Sequence, residues 1–190
     1  MLLRARSFFL LAALARASPL ETRDGLRARD MPRPRFGKVP YGVDITQCTV
    51  QGKVALTFDD GPSEFTSRIL DTLDANDVKA TFFVVAANGD TEGLAGGLYV
   101  GDVKRMVAEG HQVGSHSWSH QDLEQISPDA RASEILKNED IFVKTLGFFP
   151  TYFRPRYTDC AGGCLGALGQ YAYHVVCFCA PFFRRVDLPA

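Results

Sequence analysis

The sequence predicts an α/β fold built around a parallel sheet, and two observations carry that prediction. Short apolar runs typical of buried strands alternate with segments whose apolar residues recur at helical spacing. Polar motifs follow directly after two of the predicted strands, where parallel α/β folds place their active sites. With 46% hydrophobic and 23% charged residues among 190, the composition is that of a globular protein with one domain.

Five strands are predicted, over residues 53–58, 79–85, 111–115, 151–154 and 173–178. A first helix follows the first strand and ends near Asn76, and a second stops at Gly110. A third begins at Ser127, an N-cap residue followed by a proline at the first helical position, and stops at Gly147. A closed barrel of this kind needs about eight strands, so the sequence predicts an incomplete (β/α) barrel.

The two ends of the chain differ in pattern from the predicted domain, which covers residues 39–179 and is expected to be truncated. Residues 1–17 combine basic residues, an apolar run and a small-residue end, which predicts a signal peptide and secretion to the extracellular space or cell wall. A membrane anchor is the alternative, but the apolar run is short of the about 20 residues that spanning requires. No other segment is long and apolar enough to span.

Residues 18–38 lack apolar periodicity and are predicted to be a flexible leader. Residues 180–190 form a divergent tail, and two explanations stay open. They can be an ordinary C-terminal tail, or they can result from a change in reading frame or splicing.

Charge and cysteine content restrict the partners and the compartment. Removal of residues 1–17 takes away three arginines and no acids, which leaves 18 basic against 22 acidic residues and a formal charge of −4. This balance argues against nucleic acid as a partner. Five cysteines fit an oxidising compartment, and because the number is odd, at least one thiol is unpaired within the chain.

Adjacent carboxylates end the first predicted strand, in the segment TFDDGP (residues 57–62). Neighbouring side chains point in different directions, so one of Asp59 and Asp60 can bind a metal while the other faces a substrate as a base. An Asx-type turn explains the Asp-Asp-Gly sequence equally simply, and for this segment alone it is the preferred interpretation.

Two histidines follow the third predicted strand, in the segment HSWSH (residues 116–120). A spacing of four places His116 and His120 on one face of a helical turn, within reach of one ion. Surface histidines that cap a loop are the competing interpretation. With Asp60 added, the set becomes two imidazoles and one carboxylate with open positions, which suits hydrolysis.

Together TFDDGP and HSWSH resemble the first two motifs of the NodB-homology polysaccharide deacetylases, carbohydrate esterase family 4. A third segment, YFRPRY (residues 152–157), resembles the family's Arg-Pro-Pro-Tyr motif with Arg156 in place of the second proline. The segments FGKVPYGVDITQC, KATFF and TYFRPRYTDC look closest to fungal chitin deacetylases. The resemblance covers residues 40–178 and implies an incomplete barrel of the NodB type.

The resemblance also implies a role for each motif residue. It implies a divalent metal, usually zinc, with three ligands: Asp60, His116 and His120. Asp59 would be the catalytic base, Arg154 would orient Asp59, and the backbone N–H of Tyr157 would bind the oxyanion. Without the resemblance, a surface ion pair is the preferred interpretation of Arg154. A disulfide between Cys160 and Cys164 is expected, as in fungal relatives.

The activity that the resemblance implies is removal of N-acetyl groups from chitin or a related acetylated polysaccharide, with release of acetate. The folded protein is separately expected to be a monomer. The family's Asp-x-x-Asp-Trp segment and its Leu-x-His segment, whose histidine is the general acid, do not occur in this sequence. His174, inside an apolar run, is expected to be a core residue. Alternatives are therefore a catalytically impaired carbohydrate-binding pseudoenzyme, or a deacetylase of xylan-type polymers or peptidoglycan.

Overall fold

Six parallel strands form one sheet in the computed structural model, which describes residues 27–48, 50, 53–88 and 93–177. The strands are β1 (Asp44–Ile45), β2 (Thr57–Gly61), β3 (Thr81–Val84), β4 (Gln112–Ser115), β5 (Tyr152–Phe153) and β6 (His174–Val176). Their spatial order is β1-β6-β5-β4-β3-β2, and every neighbouring pair is parallel. As far as the structure describes the chain, the sheet is open with β1 and β2 as its outer strands, which confirms the prediction of an α/β fold with an incomplete barrel.

Helices connect the strands: α1 (Thr66–Ala75), α2 (Val100–Ala108), α3 (Pro128–Leu146) and α4 (Gly162–Gln170). The predicted helix ends are confirmed. Asn76 follows α1, and the Ser127 side chain accepts a hydrogen bond from the backbone at the start of α3. Gly110 and Gly147 have φ of +80° and +81°, the left-handed conformation that favours glycine after a helix.

Two buried apolar clusters join the helices to the sheet. Leu70, Val103, Met106 and Phe142 belong to the cluster that includes β2, β3 and β4, and all four are fully buried. The second cluster packs around β5, β6 and α4. Helix α3 contributes to both clusters, through Phe142 to the first and Ile135 to the second. Helix α3 therefore links the two clusters, and together they fix the positions of the strands relative to one another.

The structure corrects three sequence predictions. The first predicted strand, residues 53–58, begins only at Thr57, because β2 lies at the sheet edge and Val54 is 92% exposed. The described residues form six strands and not five, because Asp44–Ile45 pairs with β6 although two residues show no periodicity. Helix α4 was not predicted, since its glycine-rich sequence gives no clear apolar face.

The described end of the predicted leader contacts the domain. The Ala28 N–H donates to Asp140 Oδ1 at 2.8 Å, and Ala28 is fully buried. Arg33 pairs with Glu139 of α3 at 2.5 Å and donates to the Tyr171 carbonyl oxygen at 2.9 Å. The division of the chain into leader and domain stays a prediction.

Residues 1–17 and 180–190, predicted as signal peptide and divergent tail, lie outside the described residues. Within the described part of the chain, no helix combines the length and the apolar character that a membrane crossing requires.

Candidate metal centre

The site residues predicted from the sequence lie together at the end of the sheet where the parallel strands have their carboxyl termini. Asp59 and Asp60 lie at the carboxyl end of β2, His116 follows β4, and Arg154 follows β5. Because all strands are parallel, these carboxyl ends point the same way and the side chains meet there.

Three side chains converge as predicted for a metal centre. The Asp60 Oδ1 atom lies 3.3 Å from His116 Nε2 and 3.2 Å from His120 Nε2. One ligand atom from each of the three residues lies within 4.8 Å of the other two. The His116 side chain is 3% exposed, whereas that of Asp60 is 57% exposed. The cluster is thus buried on one side and open to a water molecule and a substrate on the other.

The tautomer of His116 fits metal binding. Its Nδ1 atom lies 2.5 Å from the Arg154 carbonyl oxygen, which can only accept, so Nδ1 carries the proton. The Nε2 atom can donate to Asp60 only when the ring is protonated, and this contact lowers the pKa of the Asp60 carboxyl group. With the ring neutral, lone pairs of Nε2 and of the carboxylate face each other, which a shared cation would stabilise.

Burial lowers the pKa of His120, and the neighbouring His116 lowers it further. The two rings are 4.7 Å apart between centroids. A neutral imidazole is the form that binds a metal ion, so the direction of this pKa shift agrees with a ligand role.

The connection between the two histidines corrects the predicted helical turn. Ser117 and His120 have φ of +70° and +59°, so residues 116–120 form an irregular loop. The His120 N–H donates to Ser117 Oγ at 3.1 Å. The left-handed backbone at Ser117 and His120 therefore brings the two imidazoles together. The spacing of four identified the right pair of histidines, but the predicted helical turn is not what joins them.

Glu134 of α3 holds this loop and was missed by the sequence reasoning. Its carboxylate accepts the Ser119 N–H at 2.8 Å and the Ser119 Oγ–H at 2.7 Å. Its backbone carbonyl accepts the Trp118 N–H at 3.0 Å. Glu134 is 7% exposed on α3, beside the buried Ile135. The sequence did contain a signal for this role, because an acidic residue beside the apolar face of a predicted helix indicates a buried carboxylate that needs hydrogen-bond donors.

Asp59 is held by Arg154, as the resemblance implied. The Arg154 Nη1 atom donates to Asp59 Oδ1 and to Thr57 Oγ1, at 2.8 Å each. The Arg154 Nε atom donates to the Val176 carbonyl oxygen at 3.2 Å, and the guanidinium lies 4.3 Å from the Phe83 ring centroid. Arg154 is 3% exposed, so the interpretation as a surface ion pair is wrong.

Tyr157 lies in the short 3-10 turn Arg156–Thr158 that follows Arg154, with φ of +56°. Its side chain is on the surface, since the residue is 70% exposed, and the Arg156 guanidinium stacks on its ring at 4.4 Å. Its backbone N–H is the group that the resemblance assigned to the oxyanion, and this role stays a prediction.

The other two histidines lie away from the centre. His174 begins β6, is buried, and its Nδ1–H donates to the Pro40 carbonyl oxygen at 2.8 Å. His111 directly precedes β4 and accepts the Ala80 N–H at 3.2 Å. Both therefore belong to the amino-terminal ends of the parallel strands, and the prediction that His174 is a core residue is confirmed.

The Cys160–Cys164 disulfide expected from the resemblance is present. Cys48 and Cys177 are free, the first exposed and the second buried.

Comparisons with known proteins agree with the motifs. The family model described as polysaccharide deacetylase matches residues 46–176. A chitin deacetylase of Pestalotiopsis sp is 43% identical over 167 residues, which are 88% of this chain and 51% of that protein. A peptidoglycan-N-acetylglucosamine deacetylase of Bacillus cereus is 41% identical over 110 residues, 57% of this chain and 38% of that protein.

Among solved structures, the chitin deacetylase of Colletotrichum lindemuthianum aligns with a TM-score of 0.69 and 44% identity. The alignment covers 73% of this chain and 60% of that structure. The chain spans 51% and 55% of the length of two curated chitin deacetylases that it matches, and 38% of a third. On its motifs, its family match and its fold, this chain belongs to the polysaccharide deacetylase family with NodB homology.

Proposed function

We propose that this protein is a metal-dependent hydrolase that removes N-acetyl groups from chitin or a similar acetylated polysaccharide and releases acetate. One observation carries the proposal: the Asp60–His116–His120 cluster lies beside a carboxylate, Asp59, whose orientation a buried arginine fixes. The names of the relatives, chitin deacetylase in two fungi, favour chitin as the substrate.

Asp60, His116 and His120 would hold the ion, and their nitrogen and oxygen donors suit zinc. A bound zinc ion polarises a carbonyl group and lowers the pKa of water, which is the chemistry that amide hydrolysis at neutral pH needs. The side chains contribute two imidazoles and one carboxylate, so open positions remain for water and substrate.

Asp59 is the proposed general base. It accepts a proton from the attacking water as the water oxygen bonds to the acetyl carbon. Arg154 keeps the Asp59 carboxylate in one orientation through the 2.8 Å hydrogen bond. The Tyr157 N–H is proposed to donate to the oxygen that gains negative charge at the acetyl carbon. The carbon–nitrogen bond then breaks, and the amine leaves with a proton.

The source of the leaving group's proton supports a second candidate function. The chain has four histidines, of which His116 and His120 are the proposed ligands. His111 and His174 belong to the amino-terminal ends of their strands, so neither is positioned as the acid. Loss of a general acid typically costs about 10²–10⁴ in rate. A carbohydrate-binding protein with impaired catalysis is therefore the alternative, and an ester substrate, which depends less on the acid, is another.

The test measures acetate release from chitin oligomers, from acetylated xylan and from peptidoglycan, with zinc-loaded and chelator-treated protein. Zinc-dependent release from chitin oligomers, lost on chelation and restored by zinc, is the expected result. Binding of chitin oligomers without acetate release would favour the carbohydrate-binding alternative. Faster release from xylan or peptidoglycan would change the proposed substrate, and release that survives chelation would overturn the metal dependence.

We also propose that the protein is secreted and monomeric. Secretion is supported by the pattern of residues 1–17, and cleavage before Ser18 is the expected outcome. N-terminal sequencing of protein from the culture medium tests secretion, and light scattering after size exclusion tests the monomer.

A further inference from the structure

Arg156 stands where the family motif has its second proline, two residues after Arg154. It begins the turn Arg156–Thr158, in which Tyr157 and Thr158 both have φ of +56°. A positively charged side chain thus takes the place of a small apolar ring at the border of the candidate metal centre, and none of the roles described above uses it.

The guanidinium of Arg156 is held in place but incompletely bonded. It stacks on the Tyr157 ring at 4.4 Å from the centroid. Its Nε atom is buried and has no hydrogen-bond partner among the described residues. Buried donors in proteins are nearly always bonded to protein, water or ligand, so this N–H requires a partner that the described residues do not supply.

Arg156 is connected to the metal centre through the backbone. The Arg154 carbonyl oxygen, two residues earlier in the chain, lies 2.5 Å from His116 Nδ1, and the Arg154 side chain donates to Asp59 at 2.8 Å. Arg156 therefore begins the turn that follows the residue in contact with both a proposed ligand and the proposed base.

Three other arginines pair with carboxylates, and Arg156 differs from these three. Arg33 pairs with Glu139, Arg105 pairs with Asp71 and Glu109, and Arg154 pairs with Asp59. Within the described residues, Arg156 forms no salt bridge. A planar guanidinium with free donors matches a carboxylate, which it can bind through two parallel hydrogen bonds.

We propose that Arg156 binds a carboxylate at the mouth of the metal centre. Two sources have this chemistry: the acetate that the reaction releases, and a carboxylate carried by the acetylated polysaccharide itself. The identity of acetate as a product rests on the proposed function, whereas binding of a carboxylate by Arg156 does not.

The first experiment titrates zinc-loaded and zinc-free protein with sodium acetate and with sodium glucuronate at constant ionic strength, followed by NMR. The variants are Arg156→Gln, which removes the charge, and Arg156→Pro, which introduces the family residue. Arg35→Gln is the matched control, because Arg35 also stacks on a tyrosine, at 5.2 Å from the Tyr41 ring centroid, and it bonds the Gly169 carbonyl at the end of α4.

Both Arg156 variants are expected to bind at least one of the two carboxylates roughly tenfold more weakly than the parent, in zinc-loaded and zinc-free protein alike. Arg35→Gln should bind as the parent does. Zinc content and melting temperature, measured on the same samples, should be unchanged in all three variants. Equal affinity of parent and Arg156→Gln for both carboxylates, or no binding by the parent, would overturn the proposal.

A second experiment separates the two sources. Acetate inhibition of chitin-oligomer deacetylation that is relieved in Arg156→Gln would identify the product as the ligand. A loss of kcat/KM confined to acetylated oligosaccharides that carry a carboxylate would identify the substrate. If the enzyme is active and shows neither of these two changes in Arg156→Gln, a role for Arg156 during turnover is overturned. Arg156-dependent carboxylate binding by a protein that releases no acetate would contradict the proposed function and leave the binding site standing.

Discussion

The imidazole of His116 and the backbone of Arg154 are joined by a hydrogen bond of 2.5 Å between Nδ1 and the carbonyl oxygen. The side chain of the same arginine donates to Asp59 at 2.8 Å. Arg154, which follows β5, therefore orients the proposed metal ligand His116 through its backbone and the proposed base Asp59 through its side chain. A displacement of Arg154 is expected to disturb both.

Gly114 in β4 is the position where that displacement can be produced by one methyl group. A Cβ atom there would lie 2.6 Å from two carbons of the Phe83 ring, and this ring supports the Arg154 guanidinium at 4.3 Å. We expect Gly114→Ala to destabilise the protein by about 1–3 kcal/mol through overpacking, and to reduce activity beyond the loss of folded protein. Urea unfolding and assays on the folded fraction measure the two effects.

Gly101→Ala in α2 is the control, because a Cβ atom at residue 101 meets nothing within 4 Å. It should be neutral or stabilise the helix by about 0.5–1 kcal/mol. A Gly114→Ala protein as stable and active as Gly101→Ala would show that the contact between Gly114 and Phe83 is not restrictive.

Glu134 is expected to control metal affinity without touching the ion. Glu134→Ala removes the acceptor of two hydrogen bonds from Ser119, at 2.8 and 2.7 Å, and frees the loop that carries His116 and His120. Partners that orient metal ligands typically affect affinity by about 10–100-fold, and we expect a loss of this size in zinc titrations. Glu134→Gln, which keeps one acceptor, should lie between Glu134→Ala and the parent.

The control for Glu134 is Lys137→Ala, which removes a charged contact with the same loop, 5.8 Å from the Trp118 ring centroid, but no hydrogen bond to its backbone. Zinc affinity should stay at the parent value in this variant. If Glu134→Ala bound zinc as tightly as Lys137→Ala, the carboxylate would not position the ligands.

Cys177 should resist alkylation that modifies Cys48. Burial raises the pKa of the Cys177 thiol to about 12, and a hydrogen bond with Asp44 adds to the effect. Since the thiolate is the reactive form, iodoacetamide at pH 8 should label the exposed Cys48 quickly and Cys177 only after unfolding. Peptide mass spectrometry measures both. Similar labelling rates in the native protein would contradict the buried, protonated thiol.

The same shift has a consequence for stability at high pH. In the unfolded chain a cysteine thiol titrates near pH 8.5, about three to four units below its native pKa. Between these values the unfolded state loses a proton that the native state keeps, so stability falls as pH rises. Cys177→Ser should flatten this part of the stability curve, as measured by urea unfolding between about pH 8 and pH 10.

The sequence predicts those strands and helix ends that depend on local residue patterns, and misses those that depend on long-range contacts. The strands β3 and β4 and the end of α3 at Gly147 follow from apolar runs and a glycine stop signal. Strand β1 could not be predicted, because its two residues form a strand only through pairing with β6. The contact of Arg33 with Glu139 joins residues 106 positions apart, and no local signal predicts such a pair.

The site shows the same division. Asp59, Asp60 and the two histidines could be identified because their types and spacing imply chemistry. The loop geometry that brings the two histidines together could not be predicted. It depends on positive φ at Ser117 and His120, and serine and histidine rarely adopt this conformation.

The substitution Asp59→Asn tests the central claim most directly, when zinc content and acetate release from chitin oligomers are measured on the same purified sample. Our account predicts that Asp59→Asn binds one zinc ion as the parent does and releases no acetate, because Asp59 takes the proton while Asp60 and the histidines hold the ion. Loss of zinc in Asp59→Asn, or acetate release at the parent rate, would contradict the separation of base and metal ligand on which the account rests.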